Sequence, residues 1–488
     1  MSSIDEIRDV RLKKLETLKK KGINPYPARS NRELSLQEVI ENFDSLEKDK
    51  KSKWIAGRIM SCRGQGAIIF LTLFDGSASF QALLKKDVLG DEKLDLFNEV
   101  ADIGDFIEIH GTFFVTKRGE KTIEAKDWRM LSKSLLPLPE KWHGLQDAEE
   151  KFRKRYLDIL MNPEVMDLFQ KKSKFWESTR NFLKSKGFLE VETPVLEVTT
   201  GGADAKPFIT HHNALDMGVF LRISMGELWQ KELMVAGYPK TFEIGRQFRN
   251  EGMDAEHLQD YTQMEFYWAY ANYEDGMKLV EEMYKYVAQE TFGTLQFKIH
   301  GFDVDLSQPW ERYDYVETIK KYTGVDVLKV SETEIKDKLD ELGVKYDVEG
   351  FNITRAIDNL WKFCRKKIGG PGFLVNVPVT ISPLAKRDEK NPEVCQRFQP
   401  IIAGSELGNG YSELNDPIDQ EERFIEQQKL REGGDEEAQM HDHDFVEALE
   451  HGMPPTCGFG MSERVFSFLM DRPMRECQIF PLMKPKEE

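Results

Sequence analysis

Residues 242–270 read FEIGRQFRNEGMDAEHLQDYTQMEFYWAY. Two apolar-rich runs flank a glycine-containing acidic loop, a pattern that predicts an antiparallel hairpin. Successive side chains of a strand alternate between faces. In the second run Thr262, Met264, Phe266 and Trp268 share one face, while Tyr261, Gln263, Glu265 and Tyr267 share the other. In the first run Phe242, Ile244 and Phe248 point one way, and Glu243, Gln247, Arg249 and Glu251 point the other. One face is therefore greasy and the other is dense in Arg, Glu, Gln and Tyr. Solvated sheet faces favour Lys, Thr and Ser, so this polar face is expected to line a cleft. Arg249 can fork onto a phosphate or carboxylate. Glu251 can accept from an amine, and Tyr261 can stack on a flat base.

Two further stretches fit such a cleft. SELGNGYSELND (405–416) places Asn409, Tyr411 and Glu413 on one strand face. Glu406 is out of phase with them unless Gly408 or Gly410 makes a bulge. GFGMSERVFSFLMDRP (458–473) reads as a glycine turn opening a helix, with Arg464 in its first turn. Gly458 and Gly460 are equally readable as simple turn residues, and Arg464 as a surface cation.

The whole chain bounds the answer. Its 488 residues exceed what one core usually supports, which predicts at least two domains. A hydrophobic fraction of 40% excludes a disordered chain. The net charge of −17 argues against a default nucleic-acid binder, so a polyanionic partner would need a local basic patch. The cysteines (Cys62, Cys364, Cys395, Cys457 and Cys477) form no CxxC or Cys/His spacing and are odd in number. Reduced thiols in a cytosol are expected. The start, MSSIDEIRDV, is no signal peptide, and no apolar run is long enough to span a bilayer, so a soluble cytoplasmic protein is expected. The HDHD run at 441–444 has no partner ligands in view and reads as solvated charge.

Residues 5–21 predict a short amphipathic helix. From Trp54 to Leu131 come short strands separated by turn signals, with one helical stretch near 92–100. That pattern matches a five-stranded barrel of the OB type, whose aromatic and basic face often binds single-stranded nucleic acid. Arg58, Arg63, Phe70 and Gln81 could supply such a face; a barrel with scattered surface polars fits the pattern as well. SLLPLPEKWHG (134–144) breaks the pattern, which places a boundary between a first domain, 1–138, and a second, 139–488. The second domain mixes strands and helices. Leu168, Phe175, Thr179 and Phe182 recur at helical spacing, and Gly187 supplies the stop. FLEVETPVLE reads as a strand interrupted by Pro194, and 331–347 and 351–368 as two helices.

The hairpin, FLKSKGFLEVETPVLE and the GFG…ER segment resemble motifs two, one and three of the class II aminoacyl-tRNA synthetases. GGADAKPFITHHNALD, FEIGRQFRNEG, SPLAKRD, ELGNGYSELND, ALEHGMPPTCGFG and the linker LPLPEKWHGLQDAEEKFRKRYLD are similar to blocks of the lysyl-tRNA synthetase family. The blocks run in order along nearly the whole chain. The resemblance implies an α+β chain: an OB-type anticodon-binding barrel, then a catalytic domain built on a mostly antiparallel sheet flanked by helices. It implies a homodimer in which motif one builds the interface, and no membrane partner. It implies ATP-dependent ligation of L-lysine to tRNA(Lys) through a lysyl-adenylate, with Mg²⁺ as cofactor.

Roles follow from the same resemblance. Arg249 would bridge the lysine carboxylate and the α-phosphate. Glu251 would hold the adenine amino group, His257 would sit near the distal phosphates, and Tyr261 and Arg464 would sandwich the adenine. Glu406 would ligate Mg²⁺. Glu227 and Glu413 would receive the lysine ammonium, with Tyr267 adding a hydroxyl and Tyr411 on the same face. Gly202 and Glu265 would take the α-ammonium, and Asn409 the carboxylate end. In the barrel, Arg63, Phe70, Gln81 and Asp127 align with anticodon-reading positions.

This chain departs from the family pattern in places. Glu256 stands where a basic residue is usual, and Gln399 where a second metal-binding carboxylate is expected. MSER is one residue short before Arg464, RISMGELW is one residue long before Glu227, and Asp127 is shorter than the family's Glu. The competing expectations are an aspartyl- or asparaginyl-type tRNA synthetase and a catalytically inactive, synthetase-like tRNA-binding protein. The Glu227/Glu413 pair discriminates against the first, because two buried carboxylates are costly unless a cation arrives. The retained Arg249, Glu251 and Arg464 argue against the second.

Overall fold

The fold is taken from a computed structural model that describes residues 3–64, 66–139, 147–203, 205–252, 256–346, 351–434 and 438–486. The chain forms two compact units, Met1–Lys151 and Phe152–Glu488. Part of the expected interdomain break, 140–144, lies outside the described residues.

The first unit holds a closed barrel. Its strands run Lys53–Arg63, Ile68–Phe74, Ser79–Lys85, Lys121–Ser132 and Phe106–Val115 around the ring. All neighbours pair antiparallel except Ser79–Lys85 with Lys121–Ser132, and helix Asp91–Val100 bridges the gap in sequence between the third and fourth strands. Alternation fills the interior with Ile55, Ile69, Leu71, Leu73, Ile107 and Ile109, all almost wholly buried. The N-terminal helix, Ile4–Lys20, is closed at its start by a Ser3–Glu6 capping box and buries Leu15 and Leu18.

The second unit is organised by a nine-stranded sheet. The strand order is Glu311–Asp314, Gly372–Pro378, Val394–Ile402, Asn409–Ser412, Thr456–Ser462, Asp260–Ala269, Lys240–Phe248 and Leu189–Glu190, with Ser405–Glu406 paired off the main path. Only the two outermost pairings are parallel. The expected hairpin lies toward one edge of this sheet, next to its last strand, with Phe242 opposite Phe266 and Glu243 opposite Glu265. Its greasy face packs under helices Pro163–Ser185 and Tyr273–Phe292, where Phe175, Phe242, Met264, Phe266, Val280 and Met283 are fully buried. Burying each such side chain stabilises by roughly 1.5–3 kcal/mol. A satellite core forms where helices Tyr315–Thr323, Glu332–Glu341 and Ile353–Arg365 connect the parallel pair Glu311–Asp314 and Gly372–Pro378. A parallel pair needs a crossover of this kind, because a tight turn cannot join it.

Two local readings are corrected. FLEVETPVLE is not one interrupted strand: Leu189–Glu190 joins the large sheet, whereas Leu196–Glu197 joins a separate three-stranded sheet. Gly458-Phe459-Gly460 is not a turn but the middle of strand Thr456–Ser462, and the helix begins only at Arg464. The glycines serve close packing there. A Cβ on Gly460 would meet Glu265 Cγ at 3.0 Å, and one on Gly458 would meet Tyr267 Cε1 at 2.6 Å.

Candidate active site

A cavity of about 380 Å³ opens on the polar face of the hairpin. Strands Asp260–Ala269, Asn409–Ser412 and Thr456–Ser462 each contribute wall residues, including Tyr261, Glu265, Tyr267, Asn409 and Tyr411. The expected alternation holds in the second strand, whose Tyr261, Gln263, Glu265 and Tyr267 line the cavity, whereas Glu243 and Gln247 of the first strand are buried without lining it. Glu406 also reaches the cavity. Ile401 pairs with Glu406 whereas Phe398 pairs with Gly410, so three steps on one strand are matched by four on the other. That extra residue is the bulge needed to bring Glu406 into phase with Asn409 and Tyr411.

The most buried part of the wall is an ion triad. Lys231 lies four residues after Glu227 on helix Glu227–Val235, and its Nζ is 2.8 Å from Glu227 Oε1 and 2.7 Å from Glu413 Oε2. The Lys231 and Glu413 side chains are each 1% exposed. Tyr411 donates its hydroxyl to Glu227 Oε1. Glu413 Oε1 is buried without a hydrogen bond among the described residues. The two carboxylates therefore converge, as expected. However, the cation expected only from a substrate is already supplied in part by the chain itself, because Lys231 offsets one of the two charges.

Titration follows from that geometry. Burial works against the Lys231 ammonium, but Glu227 and Glu413 hold it above its usual value. Burial pushes Glu413 up to about 8, against the pull of Lys231 and with the push of Glu227. Both directions fit one picture: two carboxylates and one ammonium leave a net negative site that can take one further proton. Glu265 is likewise pushed up to about 7 by burial and by Glu227. Its Oε1 accepts from Met225 N at 3.0 Å and Gln263 Nε2 at 2.6 Å, and its Oε2 from the Tyr267 hydroxyl at 3.1 Å.

Backbone shape keeps this region open. Gly226, just before Glu227, adopts φ +65° and packs on Thr193, and Glu227 is the first residue of its helix. Gly202 has φ +85°, and a Cβ there would meet Glu227 Cβ at 2.6 Å.

Arg249, His257 and Arg464 lie on the remainder of the wall, interleaved with acidic and neutral side chains. Arg249 hydrogen-bonds the Ile223 carbonyl at 3.4 Å, and its guanidinium lies 5.8 Å from the Tyr261 ring centre. Arg464 donates to Glu256 and to Ser405. His257 lines the same cavity. Glu406 accepts from the Trp361 indole, and Arg365 Nε stands 3.7 Å away. Gln399 and Glu256 both reach this cavity. Residues 253–255 of the hairpin loop lie outside the described residues. Glu251 is the one expected catalytic-domain site residue that does not line the cavity; it is half-buried beside it.

Sequence reading missed Lys231, which backs the cavity walls Glu227 and Glu413 without lining the cavity itself, and Arg397. Lys231 carried a signal, its i,i+4 spacing from Glu227 on a helix. Arg397 lines the cavity, and its Nε donates to Asn409 Oδ1 at 2.8 Å, which turns the Asn409 amide so that its NH₂ remains to donate.

In the barrel, Arg63, Phe70 and Gln81 lie on three successive strands, with Arg63 opposite Phe70 and Gln81 opposite Thr72. Gln81 Nε2 donates to Thr122 Oγ1 at 2.8 Å. Asp127 is held by Lys93 at 2.8 Å. Arg58 is not an open cation, since its guanidinium sits 4.3 Å over the Phe106 ring.

A family model for class II tRNA synthetases (D, K and N) matches residues 147–484, and one for an OB-fold nucleic acid binding domain matches residues 53–131. The chain belongs to the class II tRNA synthetases of this D, K and N group. Among individual relatives it is similar to the lysine–tRNA ligase of Thermotoga maritima, 44% identical over 492 residues that cover 99% of this chain and 97% of that protein. It is also 44% identical to the lysine–tRNA ligase of Pelotomaculum thermopropionicum, over 99% of this chain and 96% of that one. The lysine–tRNA ligase of Carboxydothermus hydrogenoformans is 43% identical, with 99% of each chain covered.

Proposed function

We propose that this chain is a lysine–tRNA ligase, which activates L-lysine with ATP and transfers the lysyl group to tRNA(Lys). The observation that carries the lysine reading is the Glu227–Lys231–Glu413 triad, whose buried Glu413 Oε1 has no hydrogen bond among the described residues. An incoming ε-ammonium supplies the missing donor and neutralises the excess negative charge. An aspartate side chain supplies neither, and an asparagine amide can donate a hydrogen bond but leaves the charge uncancelled, which argues against the rival specificities.

In the activation step a lysine carboxylate oxygen attacks the α-phosphorus of ATP, and the bond to pyrophosphate breaks. No residue of the chain becomes covalently attached; the wall positions and neutralises. Arg249 holds the carboxylate against the α-phosphate with its fork. Glu265 receives the α-ammonium beside Gly202, where a side chain would intrude, and the Asn409 amide donates to the carboxylate end. Glu227 and Glu413 grip the ε-ammonium with the Tyr267 and Tyr411 hydroxyls close by. Tyr261 and Arg464 sandwich the adenine, Glu251 accepts from its amino group, and His257 faces the distal phosphates. Glu406, with the Gln399 amide and Glu256 in the same cavity, would hold Mg²⁺ through hard oxygens. When bound, the ion neutralises phosphate charge as pyrophosphate departs. In the second step the terminal ribose hydroxyl of tRNA attacks the lysyl carbonyl carbon, and AMP leaves.

The remaining assignments belong to the same reading. Residues 1–138 bind the anticodon, with Arg63, Phe70, Gln81 and Asp127 contacting unstacked bases, and 139–488 carry out catalysis. The chain works in the cytoplasm as a homodimer. In support, the exposed apolar side chains Leu189, Leu196, Val198, Ile209 and Leu215 crowd one stretch of the second unit. No helix among the described residues is long and apolar enough to cross a membrane. ATP–pyrophosphate exchange with lysine, aspartate and asparagine, at several Mg²⁺ concentrations, tests the proposal. Exchange confined to lysine supports it. Exchange only with aspartate or asparagine overturns the lysine reading, and tRNA binding with no exchange overturns the enzymatic one.

A further inference from the structure

The HDHD run, read from sequence as solvated charge, meets a partner in the fold. Glu421 lies on helix Pro417–Glu432, and His441 and His443 lie where the chain enters helix His443–Glu450. One donor atom from each of the three falls within 4.8 Å of the others. His441 Nε2 is 2.9 Å from Glu421 Oε2, and the two imidazole centres are 3.9 Å apart. We propose that Glu421, His441 and His443 bind a divalent transition-metal ion of the zinc class.

Three observations converge on this. The donor set is two imidazoles and one carboxylate, which suits zinc-like ions and is a poor set for Mg²⁺. Tetrahedral zinc places its ligand atoms roughly 3.4 Å apart, so small side-chain rotations close the present spacing. The half-open setting leaves a fourth position for water, because His443 is exposed. Next, His441 Nδ1 is buried with no hydrogen bond among the described residues, and such a group is costly to leave unsatisfied. Finally, a simple ion pair explains only one imidazole. Two imidazoles at 3.9 Å repel if both are protonated, whereas a shared cation holds both neutral rings together.

The ion would act on the wall of the active-site cavity without entering it. Gln439, two residues before His441, lines that cavity, and its backbone N–H donates to Gln427 Oε1 at 3.3 Å. Phe445, two residues after His443, has its ring centre 5.7 Å from Lys231 Nζ. Phe424 packs between the two sides, 5.8 Å from the His441 ring and 6.3 Å from Phe445. Metal binding therefore pins the helix carrying Glu421 to the segment that backs the ion triad. The site stands on its own geometry and not on the choice of amino-acid substrate.

The test uses the full chain, stripped with a chelator and kept in excess Mg²⁺. Zn²⁺ is titrated by calorimetry, and Co²⁺ by its visible spectrum. The expected result is one equivalent per chain with the strong absorption of tetrahedral Co²⁺. H443Q alters an exposed side chain and E421Q a helix surface, so both should fold by circular dichroism. Each should weaken Zn²⁺ binding by more than about tenfold. Unchanged Zn²⁺ affinity in H443Q and E421Q overturns the proposal, as does the absence of a one-equivalent event in the parent chain.

Discussion

Lys231 Nζ lies 2.7 Å from Glu413 Oε2, and neither side chain is more than 1% exposed. A candidate pocket for a cationic amino acid is thus backed by a lysine of its own. Without Lys231 the walls would carry two adjacent buried carboxylates. With it, the excess is one charge, which a single substrate ammonium cancels.

Lys231→Met tests that balance. Removing one partner of a buried charge group typically destabilises by about 3–5 kcal/mol. Thermal unfolding should show a clear loss of Tm, and saturating L-lysine should recover more of it than it adds to the parent. Equal ligand-induced shifts in both proteins would show that the substrate does not meet this carboxylate pair.

Lysine affinity should rise with pH. Burial pushes Glu413 up to about 8 and Glu265 up to about 7, so the empty pocket holds protons at neutral pH. An ammonium favours the ionised carboxylates, and binding expels those protons. The dissociation constant should therefore fall as pH rises from about 6 to about 8, by up to tenfold per unit for each proton released. It should rise again near pH 10, where free lysine loses its charge. Calorimetry in buffers of different ionisation enthalpy counts the protons, and a flat profile would be false to this scheme.

Gly458→Ala should close the pocket without unfolding the chain. The added methyl falls on Glu413 Oε1 and 2.6 Å from Tyr267 Cε1, both cavity walls. Lysine-dependent exchange should drop by about a hundredfold or more, the scale of a displaced reacting group. ATP binding, followed by a fluorescent analogue, should persist.

Glu256→Gln should loosen Arg464. Glu256 engages the guanidinium proposed to stack on adenine, so ATP must compete for it. A half-exposed ion pair is worth about 0–1 kcal/mol, which sets a fall in the KM for ATP of up to about fivefold with the lysine KM unmoved. If Glu256 instead helps to hold Mg²⁺, the variant will require more Mg²⁺ and the KM for ATP will rise. The two outcomes separate these roles.

The hairpin and the barrel were legible because both rest on alternation, a local property. Phe242, Met264 and Phe266 announce the core face, and Tyr261, Glu265 and Tyr267 the cavity face, within one short stretch. Glu406 was half legible: its two neighbouring glycines advertised a bulge, but only the pairing with Val394–Ile402 shows it. The glycines of the GFG run misled, because glycine marks both turns and crowded strand centres. Glu421 was invisible as a partner for His441, since twenty residues and a helix separate them in sequence. Lys231 was overlooked because a lysine in a helix is ordinarily a solvated residue, and only tertiary packing reveals that it is buried.

The bulge after Glu406 has a consequence for what lengths the chain tolerates. One surplus residue lets a single pass of backbone serve two opposite phases, with Glu406 before it and Asn409 and Tyr411 after it. Deleting Gly408 would keep every side chain yet turn Glu406 to the far side of the sheet. Spacing at this point is therefore under tighter constraint than the identity of the residues that fill it.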